Sequence, residues 1–364
     1  MNLDFLLSTL QEYNRLGIPE QIDYKKFYLY SIITHSTAIE GSTVTEIENQ
    51  LLFDEGITAH GRTLQEQMMN LDLKAAYEEG IRLAQQHTTY SVDMLCWLSS
   101  IVLKNTGSTY NTPLGTFSAA KGELRKLNVT AGFGGRSYLA FQKVPQALQD
   151  FCLWLNHIRT VTPKDDILAW YRLSFEAHYR LVTIHPWADG NGRMSRLVMN
   201  MLQFEQNLIP VKVLKEQKAA YIEALNQTRD SEDINIFCNT MLQLHNSNLQ
   251  TEIDGFKASI GEETVSSIPV DVTQSDSNVT QNVIHNSMNV PSTENALLTP
   301  RQRQILLMMQ ADTSVSASTM AAQMDVTVRT VRRDIEALRK HYDIRWLGSS
   351  KQGHWQILSQ DVEQ

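Results

Sequence analysis

The chain is poor in cysteine, in long apolar runs and in basic charge. Three cysteines in 364 residues, Cys96, Cys152 and Cys238, fall at no CxxC spacing. They supply neither a disulfide framework nor a cysteine zinc site, and they fit a reducing compartment. No apolar run approaches the ~20 residues needed to span a bilayer. The opening segment MNLDFLLSTLQEYN carries an acid where a secretory signal would carry its positive charge, and its apolar stretch is short. These absences predict a soluble, cytoplasmic protein with no membrane association. A net charge of −8 excludes a chain coated by nucleic acid along its whole length, but leaves room for a local basic patch. What is present is enough apolar material (42%) for a real core, over a length that suggests two domains.

Residues 1–255 read as mainly α. Proline is sparse, and apolar residues recur at spacings of three and four. Phe151, Leu153, Trp154, Leu155 and Ile158 form one predicted core face. Leu197, Val198, Met201 and Leu202 form another, and Ile222 and Leu225 begin a third. Two stretches break the pattern. Residues 118–140 are glycine-rich with some β-formers and predict a short hairpin. Residues 256–296 lose periodicity, become rich in Ser, Thr, Asn, Gln and Val, and read as a linker to a second domain at 297–364.

The densest chemistry lies in Ile184-His-Pro-Trp-Ala-Asp-Gly-Asn-Gly-Arg-Met-Ser-Arg196. Pro186 and Gly190 punctuate a loop, and Gly190-Asn191-Gly192 opens a helix. Small residues at a helix start leave backbone N–H groups bare at the positive end of the dipole, a cradle for phosphates. Arg193 and Arg196 sit three apart on one helix face and can reach the same polyphosphate. Asp189, just before the cradle, offers a hard oxygen for Mg²⁺. His185, at the loop mouth, offers a general base.

These residues closely resemble the Fic-family signature HPFx(D/E)GNGRxxR, with Trp187 in place of phenylalanine. The resemblance spans roughly residues 20–250 and implies an all-α domain with a β-hairpin flap. It also implies a protein adenylyltransferase that moves AMP from ATP to a Ser, Thr or Tyr hydroxyl of a target protein. In that scheme His185 is the base and Asp189 the Mg²⁺ ligand. Gly190, Asn191 and Gly192 cradle phosphate, Arg193 clamps it, and Arg196 orients the γ-phosphate. Tyr221 resembles the family's tyrosine near the adenine pocket. Arg125, Val129, Thr130, Ala131 and Gly132 fall in the flap, where a target segment would add as a strand.

Residues 24–40 read as one helix ended by Gly41, a common C-cap, and Thr43-Val-Thr-Glu46 reads as a capping box for the next helix. A glutamate at the negative end of a helix dipole wants a cation. Ser36-Thr-Ala-Ile-Glu40-Gly41 matches the (S/T)xxxE(G/N) inhibitory motif of Fic proteins, in the N-terminal position of the family's second class. The resemblance implies that Glu40 pairs with Arg196 and blocks the γ-phosphate. In some such relatives the same glutamate positions a water that removes AMP, so the reverse reaction stays open.

From Thr299 to Leu358 there are nine Lys+Arg against five Asp+Glu, the basic patch that the overall charge concealed. A short helix over 316–324, a turn at 325–327, a helix over 328–341 and a hairpin after it resemble a winged helix-turn-helix of the DeoR type. Thr327, Arg329, Thr330, Arg332 and Arg333 are the candidate DNA contacts on its second helix, with Lys351 on the wing. A winged helix also serves protein contacts or homodimerisation. A DNA-binding regulator whose Fic domain senses nucleotide is therefore the alternative to an enzyme.

Overall fold

The computed structural model describes residues 4–131, 135, 137–260, 301–302, 305, 308–309, 315–324, 326–339, 342–349 and 352–359. Gly132, Lys351 and the predicted linker from 261 onward lie outside the described residues. The chain divides into two compact units, Met1–Ile268 and Pro269–Gln364.

The first unit is helical: α1 Asp4–Arg15, α2 Tyr24–Ile39, α3 Glu46–Glu55, α4 Leu64–Gln85 and α5 Val92–Val102, then α6 Val144–Val161, α7 Ile167–Ile184, α8 Asn191–Glu205, α9 Lys218–Ser231 and α10 Ile234–Ile260. The mainly α expectation holds, and α10 runs past the residue 255 boundary drawn from composition. At the centre lies α8. Met194, Leu197, Val198, Met201 and Leu202 pack into one core cluster and Met199 into another, and Arg193, Ser195, Arg196, Asn200 and Gln203 are buried as well, so the helix is enclosed nearly all round. It is flanked by α4 and α7. Gly80 eases the approach of α4: a Cβ there would stand 3.0 Å from Leu197 Cδ1 and 3.1 Å from Met201 Cγ, so those side chains would have to give by a few tenths of an ångström. Leu153 and Ile222, expected in core faces, are 60% and 41% exposed. An apolar residue in a helical stripe does not by itself establish burial.

The regular hairpin is β1 Thr109–Thr112 with β2 Gly115–Ser118, earlier than the predicted 118–140. The glycine-rich segment contributes a looser return: Thr130 bridges Ser137, and the Tyr138 N–H donates to Val129 O at 3.0 Å.

The end of α2 is tightly fixed. Glu40 is its C-cap residue and Gly41 follows at φ 106°, a conformation suited to glycine. The predicted capping box is displaced by two residues. Thr45 accepts from the Glu48 N–H at 3.3 Å while the Glu48 carboxylate accepts from the Thr45 N–H at 2.8 Å. Thr43 is instead held by Glu66, whose Oε1 accepts from its N–H and hydroxyl, each at 2.7 Å. Beneath α2, Thr37 donates to Asn70 Oδ1 at 2.7 Å, Asn49 donates to Thr34 and Asn70, and Asn70 donates to Ser42. Buried polar networks of this kind favour one arrangement of the backbone around them.

In the second unit, α11 Ala317–Gln323 and α12 Val328–Leu338 precede an antiparallel pair, β3 Tyr342–Ser349 and β4 Gln352–Ser359. Helix α12 stops three residues short of the expected His341 because β3 begins at Tyr342. Ser316 caps α11 through the Thr319 N–H at 3.1 Å, and Thr327 accepts from the Thr330 N–H at 3.2 Å at the start of α12. Ile305, Met309, Val315, Met320, Val331, Ile335, Leu338 and Ile344 build a separate core.

Candidate active site

The site forms where α7 ends and α8 begins. Helix α7 terminates at His185, which adopts the left-handed conformation (φ 53°). That turn sends the chain across the mouth of α8. Trp187 plugs the core at 0% exposure, with its Nε1–H donating to Gly122 O at 3.1 Å. The family's phenylalanine position thus accepts an indole because a carbonyl is there to receive its N–H.

Asn191 is placed differently from its expected role. Its Nδ2 donates to Trp187 O at 2.9 Å and its Oδ1 accepts from the Trp187 N–H at 3.1 Å. The side chain is spent stapling the loop, and only the backbone of Asn191 contributes to the cradle. Gly190 caps the helix at φ 76°, and its carbonyl accepts the first helical bond from the Met194 N–H at 2.9 Å. The amides of the first turn have no intrahelical acceptor, by helix geometry.

Arg193 and Arg196 are almost wholly enclosed, at 2% and 3% exposure. Arg193 is weakly satisfied. Its nearest acceptors, Val102 O and Asp189 Oδ2, are each at 3.5 Å, and its Nε has no partner in the structure. Burial pulls its pKa below the usual value, partly offset by Asp189 and Glu40. A buried guanidinium held this loosely is set to receive an anion. Asp189 keeps its carboxylate half exposed beside the cradle, with Oδ1 accepting from the Gly190 N–H at 2.6 Å.

Arg196 is fully engaged. Its Nε donates to Ser36 Oγ at 2.8 Å, and one Nη donates to Ser36 O at 2.9 Å and to Glu40 Oε1 at 2.6 Å. All three acceptors come from the end of α2, 156–160 residues away in sequence. Burial alone would push the Glu40 carboxyl up. The Arg196 guanidinium, with the charges of Arg193 and Lys218, outweighs that and holds it below its ordinary value, so Glu40 is an anion. The same carboxylate presses on the helix start: a Cβ built on Gly192 would lie 2.5 Å from Glu40 Oε1. A side chain at position 192 would therefore make the Glu40 carboxylate shift.

His185 is buried enough to push its pKa down to about 4, the carbonyl of Val182 resisting and the charges of Arg125 and Arg229 assisting. The imidazole is therefore neutral near pH 7. Its Nδ1 lies 3.2 Å from Val182 O, which can only accept, so Nδ1 carries the proton and Nε2 is the free base. The Tyr138 ring stacks on it, centroids 3.8 Å apart at 18°, and the Arg229 guanidinium covers Tyr138 at 4.9 Å. Neither residue carried a signal in the sequence, because neither belongs to the contiguous motif. Beside them a cavity of about 550 Å³ is lined by Ala131, Tyr138, Val182, Ile222, Leu225 and Arg229, among others.

Two of the expected site residues are enclosed. Arg125 does not face a target. It is 2% exposed, and its guanidinium donates to His185 O at 2.7 Å, to Leu127 O at 2.8 Å and to Leu139 O. It bolts the base of the flap to the His185 turn. Tyr221, whose expected place is near the adenine pocket, is packed in the core. It is 1% exposed, with its hydroxyl 2.8 Å from His178 Nε2. Val129, Thr130 and Ala131 lie in the glycine-rich return, Val129 half-buried and Thr130 and Ala131 exposed.

In the second unit Thr327, Arg329, Arg332 and Arg333 are exposed and Thr330 is half-buried, all at or near the start of α12. Asp334 is turned inward to Arg301. The arginines thus present one basic face without a carboxylate partner from Asp334.

Residues 89–203 match the Fic/DOC family, and residues 301–344 match an HTH domain. The chain is 26% identical over 238 residues to Protein adenylyltransferase fic-1 of Caenorhabditis briggsae, covering 65% of this chain and 43% of that protein. It is 29% identical over 211 residues to Protein adenylyltransferase Fic of Drosophila melanogaster, covering 57% and 39%. The chain therefore spans less than half the length of these curated relatives. Among solved structures, a Fic-domain signalling protein from Bacteroides thetaiotaomicron superposes with a TM-score of 0.56 at 20% identity, covering 72% of this chain and 99% of that one. A Fic family protein from Desulfovibrio desulfuricans gives 0.55 at 15% identity, covering 99% and 97%. Signature, fold and comparisons agree that this chain carries a Fic/DOC-family domain followed by a C-terminal helix-turn-helix domain.

Proposed function

We propose that the chain is a protein adenylyltransferase held in a self-inhibited state. The observation that carries this reading is a neutral His185 beside a phosphate cradle whose second arginine, Arg196, is occupied by Glu40. ATP would lay its phosphates on the first turn of α8, against Arg193, with its base toward the cavity beside Ile222 and Leu225. His185 Nε2 takes the proton of a target Ser, Thr or Tyr hydroxyl. The oxygen bonds to the α-phosphorus, the bond from that phosphorus to the β-phosphate oxygen breaks, and pyrophosphate leaves. Charge placement supplies most of the rate in such a transfer. The family implies Mg²⁺, and Asp189 fits it: an exposed hard oxygen beside the cradle, with no cluster of three metal-binding side chains among the described residues. One carboxylate plus substrate phosphates is the usual way Mg²⁺ is held, and the ion would neutralise phosphate charge there.

A second reading has one observation behind it. Glu40 is ionised and still 32% exposed, so it retains the means to orient a water and remove AMP from a modified target. For the C-terminal unit, the exposed face of Arg329, Arg332 and Arg333 supports DNA as a partner. A homodimer would double the phosphate contacts.

Radiolabelled ATP supplied to the wild-type and Glu40→Gly proteins tests the first reading. Stronger labelling of the Glu40→Gly protein supports it. Equal labelling of the two would sink the inhibitory role.

A further inference from the structure

Tyr138 lies outside the motif that carries His185, yet its ring covers the base. Centroids 3.8 Å apart at 18° put the two planes face to face. The backbone around Tyr138 is fastened on both sides. Its N–H donates to Val129 O at 3.0 Å, Ser137 bridges Thr130, and the Phe141 N–H donates to Asn128 Oδ1 at 3.0 Å. One guanidinium then ties this return to the base: Arg125 donates to Leu139 O, next to Tyr138, and to His185 O at 2.7 Å. Over the Tyr138 ring sits the Arg229 guanidinium, 4.9 Å from its centroid.

What the stack does follows from imidazole geometry. The lone pair of Nε2 lies in the ring plane, so a ring laid on one face leaves that edge open to a hydroxyl. The same ring resists rotation of the imidazole. Without it, the imidazole could turn over and bring a carbon to Val182 O in place of Nδ1, now 3.2 Å away. The contact that fixes the tautomer would be lost, and a base must hold one orientation to meet its proton. The charges near His185 act on its proton rather than on its plane. Burial and the positive charges of Arg125 and Arg229 favour the neutral ring, while Val182 O and Glu40 favour its cation.

We infer that Tyr138 is a positioning residue: its ring, held by the glycine-rich return and covered by Arg229, fixes the plane of the His185 imidazole so that Nε2 stays the open base. The inference rests on the proposed AMP transfer and deepens it by naming what orients its base.

The test compares Tyr138→Ala and Tyr138→Phe in the full chain carrying Glu40→Gly. Nitrogen-15 NMR of His185 needs no nucleotide. The parent and Tyr138→Phe chains should show one neutral tautomer, protonated at Nδ1. The Tyr138→Ala chain should show a mixture of tautomers and a pKa raised from about 4 toward the ordinary ~6.5. A single Nδ1–H tautomer in Tyr138→Ala overturns the inference. The second readout is the rate of AMP incorporation from radiolabelled ATP, with ATP affinity measured by calorimetry. Tyr138→Ala should lower the rate at saturating ATP about tenfold and keep ATP affinity within about threefold, whereas Tyr138→Phe, which keeps the stacking ring, should recover the rate. A loss confined to ATP affinity would make Tyr138 a wall of the neighbouring cavity, and a faster Tyr138→Ala chain would make it a lid; either overturns the inference. If the Glu40→Gly chain itself incorporates no AMP, the proposed transfer fails, and the NMR comparison still decides what Tyr138 does to His185.

Discussion

Replacing Glu40 by glycine gives the sharpest quantitative test of the inhibitory contact. The change removes a carboxylate 2.6 Å from an Arg196 nitrogen and takes a negative charge away from Gly192, where a phosphate would lie. Two like charges about 4 Å apart repel by ~4 kcal/mol at an effective dielectric of 20. Glu40 keeps 32% of its exposure, so solvent screening roughly halves that, to about 2 kcal/mol. Freeing Arg196 for the nucleotide acts in the same direction. The expected gain in ATP affinity is therefore on the order of 30-fold. Glu40→Gln, which keeps the shape and drops the charge, should recover the greater part of it. Leaving Arg196 short of a partner costs about 1–2 kcal/mol of stability, a fall of a few degrees in melting temperature. Calorimetry with ATP reads the first effect and thermal unfolding the second. An affinity change below threefold, with the fold intact, would refute the idea that Glu40 competes with phosphate.

Three further outcomes follow from the same contacts. His185, His178 and His245 are all driven down by burial, to about 4, 3 and 3. The unfolded chain thus binds more protons below its ordinary histidine pKa of ~6.5. Stability should be full above that pH and fall as pH drops toward 4, read by denaturant midpoints; a midpoint that rises on acidification contradicts the burial. Trp187→Ala removes a fully buried indole and its bond to Gly122 O, and should cost about 3–5 kcal/mol, seen as a large loss of thermal stability. If the second unit grips DNA, replacing both Arg332 and Arg333 by alanine should weaken a duplex and lower the salt slope by about two; a slope unchanged in the variant would speak for a protein partner.

Much of the site was legible because its parts are contiguous or near in sequence. Twelve residues from His185 to Arg196 carry the turn, the cradle and both arginines, and five from Ser36 to Glu40 carry the contact to Arg196. What escaped depends on distant partners. Arg125 falls in the stretch that resembles the target-docking flap, yet three backbone carbonyls enclose it. Asn191 reads as a phosphate ligand until Trp187 claims both ends of its amide. Tyr138 and Arg229 form a stack on His185 although they lie 91 residues apart in sequence. The fold followed the same division. Helix α2 was read almost to the residue, whereas the capping box shifted to Thr45 and Glu48 because Glu66 claims Thr43.

The central claim is that His185 serves as the base for AMP transfer once Glu40 is removed. Intact-protein mass spectrometry after incubation with ATP and Mg²⁺ addresses it directly, comparing Glu40→Gly with the double variant Glu40→Gly/His185→Ala. The account predicts an added AMP on the single variant, or on a supplied target, and none on the double. Equal AMP addition by the two would contradict it.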